Sequence, residues 1–223
     1  MNSIFERALG SDFQRLHPKL RERFGFSSAD GIACVGTGIM DTVWHGHGFT
    51  RPFLALGARR NILLRQAGRD VAFTITNYAY PDSFGRETMT FSRTFHFGTP
   101  QHWDATMIHS AERGTIVDYL GTHQHIAVDL HPSVDEHGAL LIRSGEQRLY
   151  EGPLGVRIPS LVTGVARLRE SYDERIGMFR IEVAVTNRWF GPLFGYRGTF
   201  SARYPACDTV PVAVQPLREQ LRV

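Results

Sequence analysis

Cysteine, lysine and long apolar runs are scarce in this chain, and each shortage excludes a class of protein. Cys34 and Cys207 are the only cysteines among 223 residues. They are too few for a disulfide-stapled scaffold, and they form no CxxC pair for zinc or redox chemistry. Cys34 lies in an apolar stretch and reads as a small core residue. No segment approaches the ~20 consecutive apolar residues of a membrane-spanning helix, so no transmembrane segment is expected. The start, MNSIFERALGSDF, lacks the basic stretch and continuous apolar core of a secretory signal. A reducing cytoplasm is therefore the expected compartment. Lys19 is the only lysine among 25 basic residues, and the formal net charge is only +3. The 24 arginines are scattered near acids and do not form a basic face interleaved with aromatics, so nucleic acid is not an expected partner. A P-loop, a Rossmann glycine fingerprint, a GxSxG elbow and an HExxH pair are all missing. No cofactor is predicted.

With 42% hydrophobic, 11% aromatic and 21% charged residues, the composition is that of an ordinary globular domain. The first 25 residues read as short helices. Ile4, Phe5, Ala8, Leu9 and Phe13 recur at helical spacing. Gly10 can end a first helix, Ser11 with Gln14 is a capping-box pattern for a second, Pro18 suits a first turn and Gly25 a C-cap.

From Gly31 the period changes to two. In Arg86–Phe97 the odd positions Glu87, Met89, Phe91, Arg93, Phe95 and Phe97 are mostly apolar, and the even positions are polar, as a half-buried strand requires. Met178–Arg188 and Phe194–Tyr204 repeat the pattern. Shorter strands are predicted at Gly31–Trp44, Val71–Tyr78, Trp103–His109, Thr115–Leu120, His123–Leu130, Ala139–Ile142, Gln147–Tyr150 and Val165–Tyr172. Short turns such as Pro81–Gly85 and Asp135–Gly138 join neighbouring strands, which means an antiparallel meander. About ten strands in one sheet should curl or close. Phe53–Arg65 fits either helix or strand, and Pro153–Gly164 reads as a loop or short helix crossing an open end. The tail after Tyr204, with Pro205, Pro211 and Pro216, reads as a poorly packed extension. The expected fold is mainly β: one antiparallel curved sheet closing into a barrel or half-barrel, with short N-terminal helices. Its parts are a helical segment over residues 1–25, the β domain over 26–204 and a tail over 205–223, all in one domain.

Arg93 stands out because it shares a strand face with Met89, Phe91, Phe95 and Phe97. A buried unpaired guanidinium is costly, so Arg93 must reach solvent, pair with an acid or hold an anionic head group inside the barrel. In the run Asp118–Asp129, an extended strand would place His123, His125, Ala127 and Asp129 on one face. HxH on a strand is a usable metal-ligand spacing, which makes His123, His125 and Asp129 weak metal candidates. Asp118 and His123 are the alternative acid–base groups. Tyr119 lies in the same run. Arg148 and Tyr150 share a strand face and together can clamp a carboxylate or phosphate. Arg197 lies in an aromatic, glycine-rich hairpin, Trp189–Gly198, that suits a rim or lid.

The segments IFERALGSDFQRLHPKLRERF, NYAYPDSFGRETMTFSRTFHF, DATMIHSAERGTIVDYLGTHQHIAVDL, SGEQRLYEGP and FGPLFGYRGTF together resemble the bacterial "domain of unknown function 4166" family, from Ile4 to about Tyr204. The resemblance implies a domain that occurs alone, fused behind saccharopine-dehydrogenase-like reductase domains, or in some membrane proteins. It implies no catalytic residues. The pair His45/His47 stands where the resemblance leads one to expect an Arg-Gly type sequence, which weakens a metal site built from both HxH pairs.

These readings converge on a barrel enclosing an apolar space with a few polar groups. Its expected partner is a hydrophobic or amphipathic small molecule of a lipid-like kind. The candidate binding residues are Arg93, Asp118, Tyr119, His123, His125, Arg148, Tyr150 and Arg197. The alternatives are an enzyme using the His123/His125/Asp129 metal or acid–base site, and an interaction module for a reductase domain.

Overall fold

The computed structural model describes residues 2–46, 66–159, 161 and 163–223. Two short helices, α1 (Ile4–Leu9) and α2 (Pro18–Phe24), precede eleven strands. The strands are β1 (Ala33–His45), β2 (Gly68–Pro81), β3 (Glu87–His96), β4 (Gln101–Ser110), β5 (Thr115–Leu120), β6 (Ile126–Val134), β7 (Leu140–Glu151), β8 (Leu154–Arg157), β9 (Val165–Asp173), β10 (Met178–Asn187) and β11 (Gly191–Arg203). Their order is β6-β5-β4-β3-β2-β1-β11-β10-β9-β7-β8, and β6 also pairs with β7. That pairing closes ten antiparallel strands into a barrel, with β8 as a hairpin arm outside the ring. Closure leaves no unpaired edge around the ring.

The period-two segments form strands because alternate side chains face one apolar interior. Met89, Phe91, Arg93 and Phe95 of β3 face in and are buried, as do Phe179, Ile181, Val183 and Val185 of β10. Aromatic rings fill much of the interior between β2, β3, β10 and β11. Phe73 lies 5.1 Å from Phe95, Phe95 lies 5.0 Å from Tyr196, and Phe179 lies 5.2 Å from Phe200. Such contacts add to the burial term.

The helices close one end of the barrel. Phe5 packs 4.7 Å from Phe24 and 6.2 Å from Phe91 of the wall. Ser3 accepts from the Glu6 amide while the Glu6 carboxylate accepts from the Ser3 amide, so the capping box that starts a helix is here. The Ser11/Gln14 pattern starts no α-helix: Gly10–Arg15 is a 3₁₀ turn entered through Gly10 at φ 55°. Pro18 opens α2 and Gly25 caps it, as their positions suggest.

Three further segments differ from the sequence expectation. The segments predicted at Ala139–Ile142 and Gln147–Tyr150 are parts of one strand, β7, which starts at Leu140. Pro153–Gly164 contributes the exposed arm β8, paired to β7. The tail is fastened to the outer wall. The Leu217 amide donates to the Thr122 carbonyl at 2.8 Å, and the Arg86 guanidinium donates to the carbonyls of Gln220 and Leu221 at 2.8 and 3.1 Å. Phe53–Arg65 and His47 lie outside the described residues.

Candidate functional site

The inward faces of β3, β4, β5 and β11 carry four polar side chains among apolar neighbours: Arg93, Trp103, Asp118 and Tyr196. Arg93 is 5% exposed. It pairs in register with Trp103 on one side and Ile75 on the other. Its guanidinium carbon lies 4.7 Å from the Trp103 ring centroid and 5.5 Å from that of Phe91. These cation–π contacts partly replace lost hydration. They satisfy none of its N–H groups as hydrogen bonds do. Among the described residues no hydrogen bond or ion pair reaches this guanidinium, and the buried Nε has no partner.

The same holds for three neighbouring atoms: Trp103 Nε1, Asp118 Oδ1 and the Tyr196 hydroxyl are buried without a hydrogen-bond partner. Tyr196 lies edge-on to Trp103 at 5.8 Å. Asp118 faces in from β5 between Met107 of β4 and Val128 of β6. Burial pushes its carboxyl up to about 7, against the opposing pull of the Arg93 charge. Burial likewise pushes the Tyr196 phenol up to about 12, again opposed by Arg93. Buried polar atoms are nearly always paired with protein or ordered water. Arg93 Nε, Trp103 Nε1, Asp118 Oδ1 and the Tyr196 hydroxyl therefore stand out as unmet hydrogen-bonding capacity.

A second buried polar group lies nearer the helical plug. Arg23 of α2 donates from Nε to Glu170 of β9 and from Nη1 to Asn77 Oδ1 of β2 at 2.9 Å. Both members of the ion pair are at most 2% exposed. Burial raises the Glu170 carboxyl, and the Arg23 charge opposes that rise. This pair fixes the plug to the wall. Neither residue stands out in the sequence. The only available signal was Glu170 at an inward position of β9, alternating with Ala166, Leu168 and Tyr172.

The other sequence candidates are elsewhere. Arg148 and Tyr150 do share a face of β7, but it is the outer face. Tyr150 and Tyr119 join Ile108, Val117 and Ala127 in a separate cluster beneath the C-terminal tail. Their hydroxyls donate to the carbonyls of Val223 and Arg222, each at 2.9 Å. Arg148 and Arg113 both donate to the Asp129 carboxylate, and both reach Glu146. Burial pushes the Asp129 carboxyl up, but the hydrogen bonds from the two arginines outweigh it and leave the group below its ordinary range. Asp129 is thus already committed to arginine. His123 lies in the turn Gly121–Gln124 and not on a strand. Its ring is 5.6 Å from that of His125, which contacts the Glu151 carboxylate. Among the described residues no cluster of three or more His, Cys, Asp or Glu side chains is arranged to hold a metal ion. Arg197 is an exposed residue of β11 opposite Thr42 and Glu182.

The profile of one family, described as "Domain of unknown function (DUF4166)", matches residues 16–200. The chain belongs to that family. It is also 32% identical over 201 residues to "Uncharacterized protein YndH" of Bacillus subtilis (strain 168), a match covering 90% of this chain and 97% of the relative. No solved structure matches. The family match spans all four orphaned side chains and the Arg23–Glu170 pair. No helix among the described residues is long and apolar enough to cross a membrane.

Proposed function

We propose that this domain binds a small amphipathic organic molecule inside the barrel, with the molecule's polar end at Arg93 and Asp118 and its apolar part against the aromatic wall. The observation that carries this reading is Arg93, 5% exposed, whose Nε is buried with no hydrogen-bond partner and whose guanidinium makes no ion pair among the described residues. Leaving a buried donor unpaired costs about 1–3 kcal/mol, and a ligand bound there removes that cost. Native mass spectrometry of the purified protein tests the reading, alongside titration with a fluorescent fatty-acid probe. Extra mass that is lost on denaturation, or saturable probe binding, is the expected result. A ligand-free mass together with no probe binding overturns it.

A second reading, acid–base catalysis at the same place, draws on Asp118 alone. A carboxyl that burial raises to about 7 exchanges its proton near neutrality, as a general acid or base must. His123, the expected partner in such chemistry, lies in an outer turn. Under this reading a bound small molecule would be converted and released, so recovery of the added compound unchanged after long incubation decides for binding alone.

A further inference from the structure

The orphaned groups of the interior are not a balanced set of donors and acceptors, and the imbalance specifies a ligand. Arg93 Nε and Trp103 Nε1 are N–H groups that donate and never accept. The Tyr196 hydroxyl donates or accepts. Asp118 Oδ1 belongs to a carboxyl that burial pushes toward its neutral form, and in that form the group also offers an O–H. The buried Glu170 carboxylate is already taken by Arg23.

Charge narrows the set further. Arg23 and Glu170 cancel one another within hydrogen-bond distance. Arg93 has no acid within ion-pair distance among the described residues; Asp118 and Glu170 act on its charge only from beyond that distance. The surrounding inward side chains, Phe91, Phe95, Met107 and Phe194, carry no charge. Resting on the proposed function above, the geometry points to a narrower ligand class: a singly charged carboxylate on an apolar body, whose two oxygens accept from Arg93 and from the neighbouring Trp103 and Tyr196 donors.

A carboxylate suits this site better than its analogues. Its two oxygens match the planar fork of a guanidinium. A neutral alcohol brings one oxygen and leaves the guanidinium charge unanswered. An amine brings a second cation into a low-dielectric interior beside Arg93, where like charges repel strongly. A phosphate monoester dianion carries one charge too many for a site with one free cation.

Three compounds of equal chain length, octanoate, octanol and octylamine, with octyl phosphate as a fourth arm, test the inference by calorimetric titration of the full chain at pH 6. Octanoate is expected to bind at least tenfold more tightly than each of the others. Arg93→Gln should reduce octanoate affinity at least tenfold while changing octanol affinity less than twofold. Trp103→Phe, which keeps an aromatic ring and removes one donor, should weaken octanoate by a smaller factor and serves if Arg93→Gln does not fold. Equal binding of octanol or octylamine overturns the carboxylate assignment and leaves the proposed amphipathic-ligand function standing. Tighter binding of octyl phosphate overturns it in favour of a phosphoryl head group. Failure of all four compounds to bind the wild-type protein overturns both readings. Unchanged octanoate binding in a folded Arg93→Gln protein overturns the assignment of Arg93.

Discussion

Arg23 and Glu170 are 147 positions apart in the chain and form an ion pair almost wholly sealed from solvent, one on the plug helix and the other on the barrel wall. The pair makes the plug part of the barrel and not an appendage. Its guanidinium also donates to Asn77 and packs 5.0 Å from the Phe200 ring. Removing one partner leaves a buried charge. Arg23→Met is therefore expected to cost about 3–5 kcal/mol. Replacing both, as Arg23→Met with Glu170→Leu, should recover most of that loss, because a well-packed apolar pair avoids the desolvation of two ions. Urea unfolding of the two variants beside wild type checks the order. A double variant no more stable than the single one contradicts it.

Asp118 makes stability depend on pH in a direction opposite to that of a paired carboxylate. Its folded value is about 7, above the ordinary 3.8, because burial penalises the ionised form. Of the groups facing it, Arg93 on β3 carries charge, while Met107, Ile116 and Val128 on β4, β5 and β6 do not. Between pH ~4 and ~7 the folded protein holds a proton that the unfolded chain releases, so stability falls as pH rises through that window. Asp118→Asn has no proton to lose. Relative to wild type it should gain stability from pH 4 to pH 8, by up to roughly 4 kcal/mol for a three-unit shift. Glu170 is shifted the same way by burial, but it is present in both proteins and cancels in the comparison. A pH-independent difference between the two melting curves would contradict the assignment.

The barrel was legible in the sequence because a strand reports its own two faces. Arg93 could be recognised as an inward charge because Met89, Phe91 and Phe95 share its parity. Parity does not say which face is inward, and that is where the reading of Arg148 and Tyr150 stops. They do lie on one face, but the tail covers that face from outside, so both faces of β7 look buried. The HxH reading fails for a local reason. Gly121 and Gln124 both have positive φ, which turns the chain at the residues that had to stay extended for His123, His125 and Asp129 to align. The Arg23–Glu170 pair was illegible because it joins a helix to a strand, and no periodic pattern in either element refers to the other.

Asp129 should behave as the mirror image of Asp118. Hydrogen bonds from Arg148 and Arg113 hold its carboxyl below the ordinary range, against the effect of burial. Its contribution is therefore present above pH ~4 and lost as pH falls through the folded value. Asp129→Ala leaves Arg148, whose side chain is 8% exposed, with Glu146 as its remaining acid. A cost of about 2 kcal/mol or more at neutral pH is expected for losing charge-assisted bonds to a buried group. Asp12→Ala removes an exposed pair with Arg15 and should cost less than ~1 kcal/mol. Chemical unfolding at pH 7 ranks the two, and a repeat at pH 3 should shrink the Asp129 effect.

Gly36 faces the interior of β1 at a point with no room for a side chain. A Cβ there would lie 2.6 Å from Ile75 Cγ2 and 2.8 Å from the Phe200 ring. Gly36→Ala should therefore destabilise by about 1–3 kcal/mol through overpacking. Pairing it with Ile75→Ala, which removes the Cγ2 methyl that the new Cβ meets, should cost less than the sum of the two single losses. Thermal melts of the single and paired variants check this, and full additivity of the two losses would show that the neighbours do not share that space.

The C-terminal tail gives the last prediction. Prolines at 205, 211 and 216 suggest loose packing, yet proline fixes the chain extended and leaves the following residues free to pair. The Gln220 amide donates to Gln124 Oε1, and Arg222 donates to the carbonyls of Gly152 and Leu154 at 3.0 Å each. Deleting Leu217–Val223 uncovers Tyr119, Tyr150, Ile108 and Val117 together. Water can replace the lost acceptors of the two hydroxyls, so the main cost is exposure of apolar area. Tyr150→Phe alone should cost only about 1 kcal/mol, the net value of one hydrogen bond. The deletion should act locally, because the tail rests on β4–β7 and not on β9–β11. Amide hydrogen exchange is expected to quicken in Ile108, Val117 and Tyr119 and to stay unchanged in Ile181 and Val183. Equal quickening across the whole barrel would instead mean that the tail stabilises the fold globally.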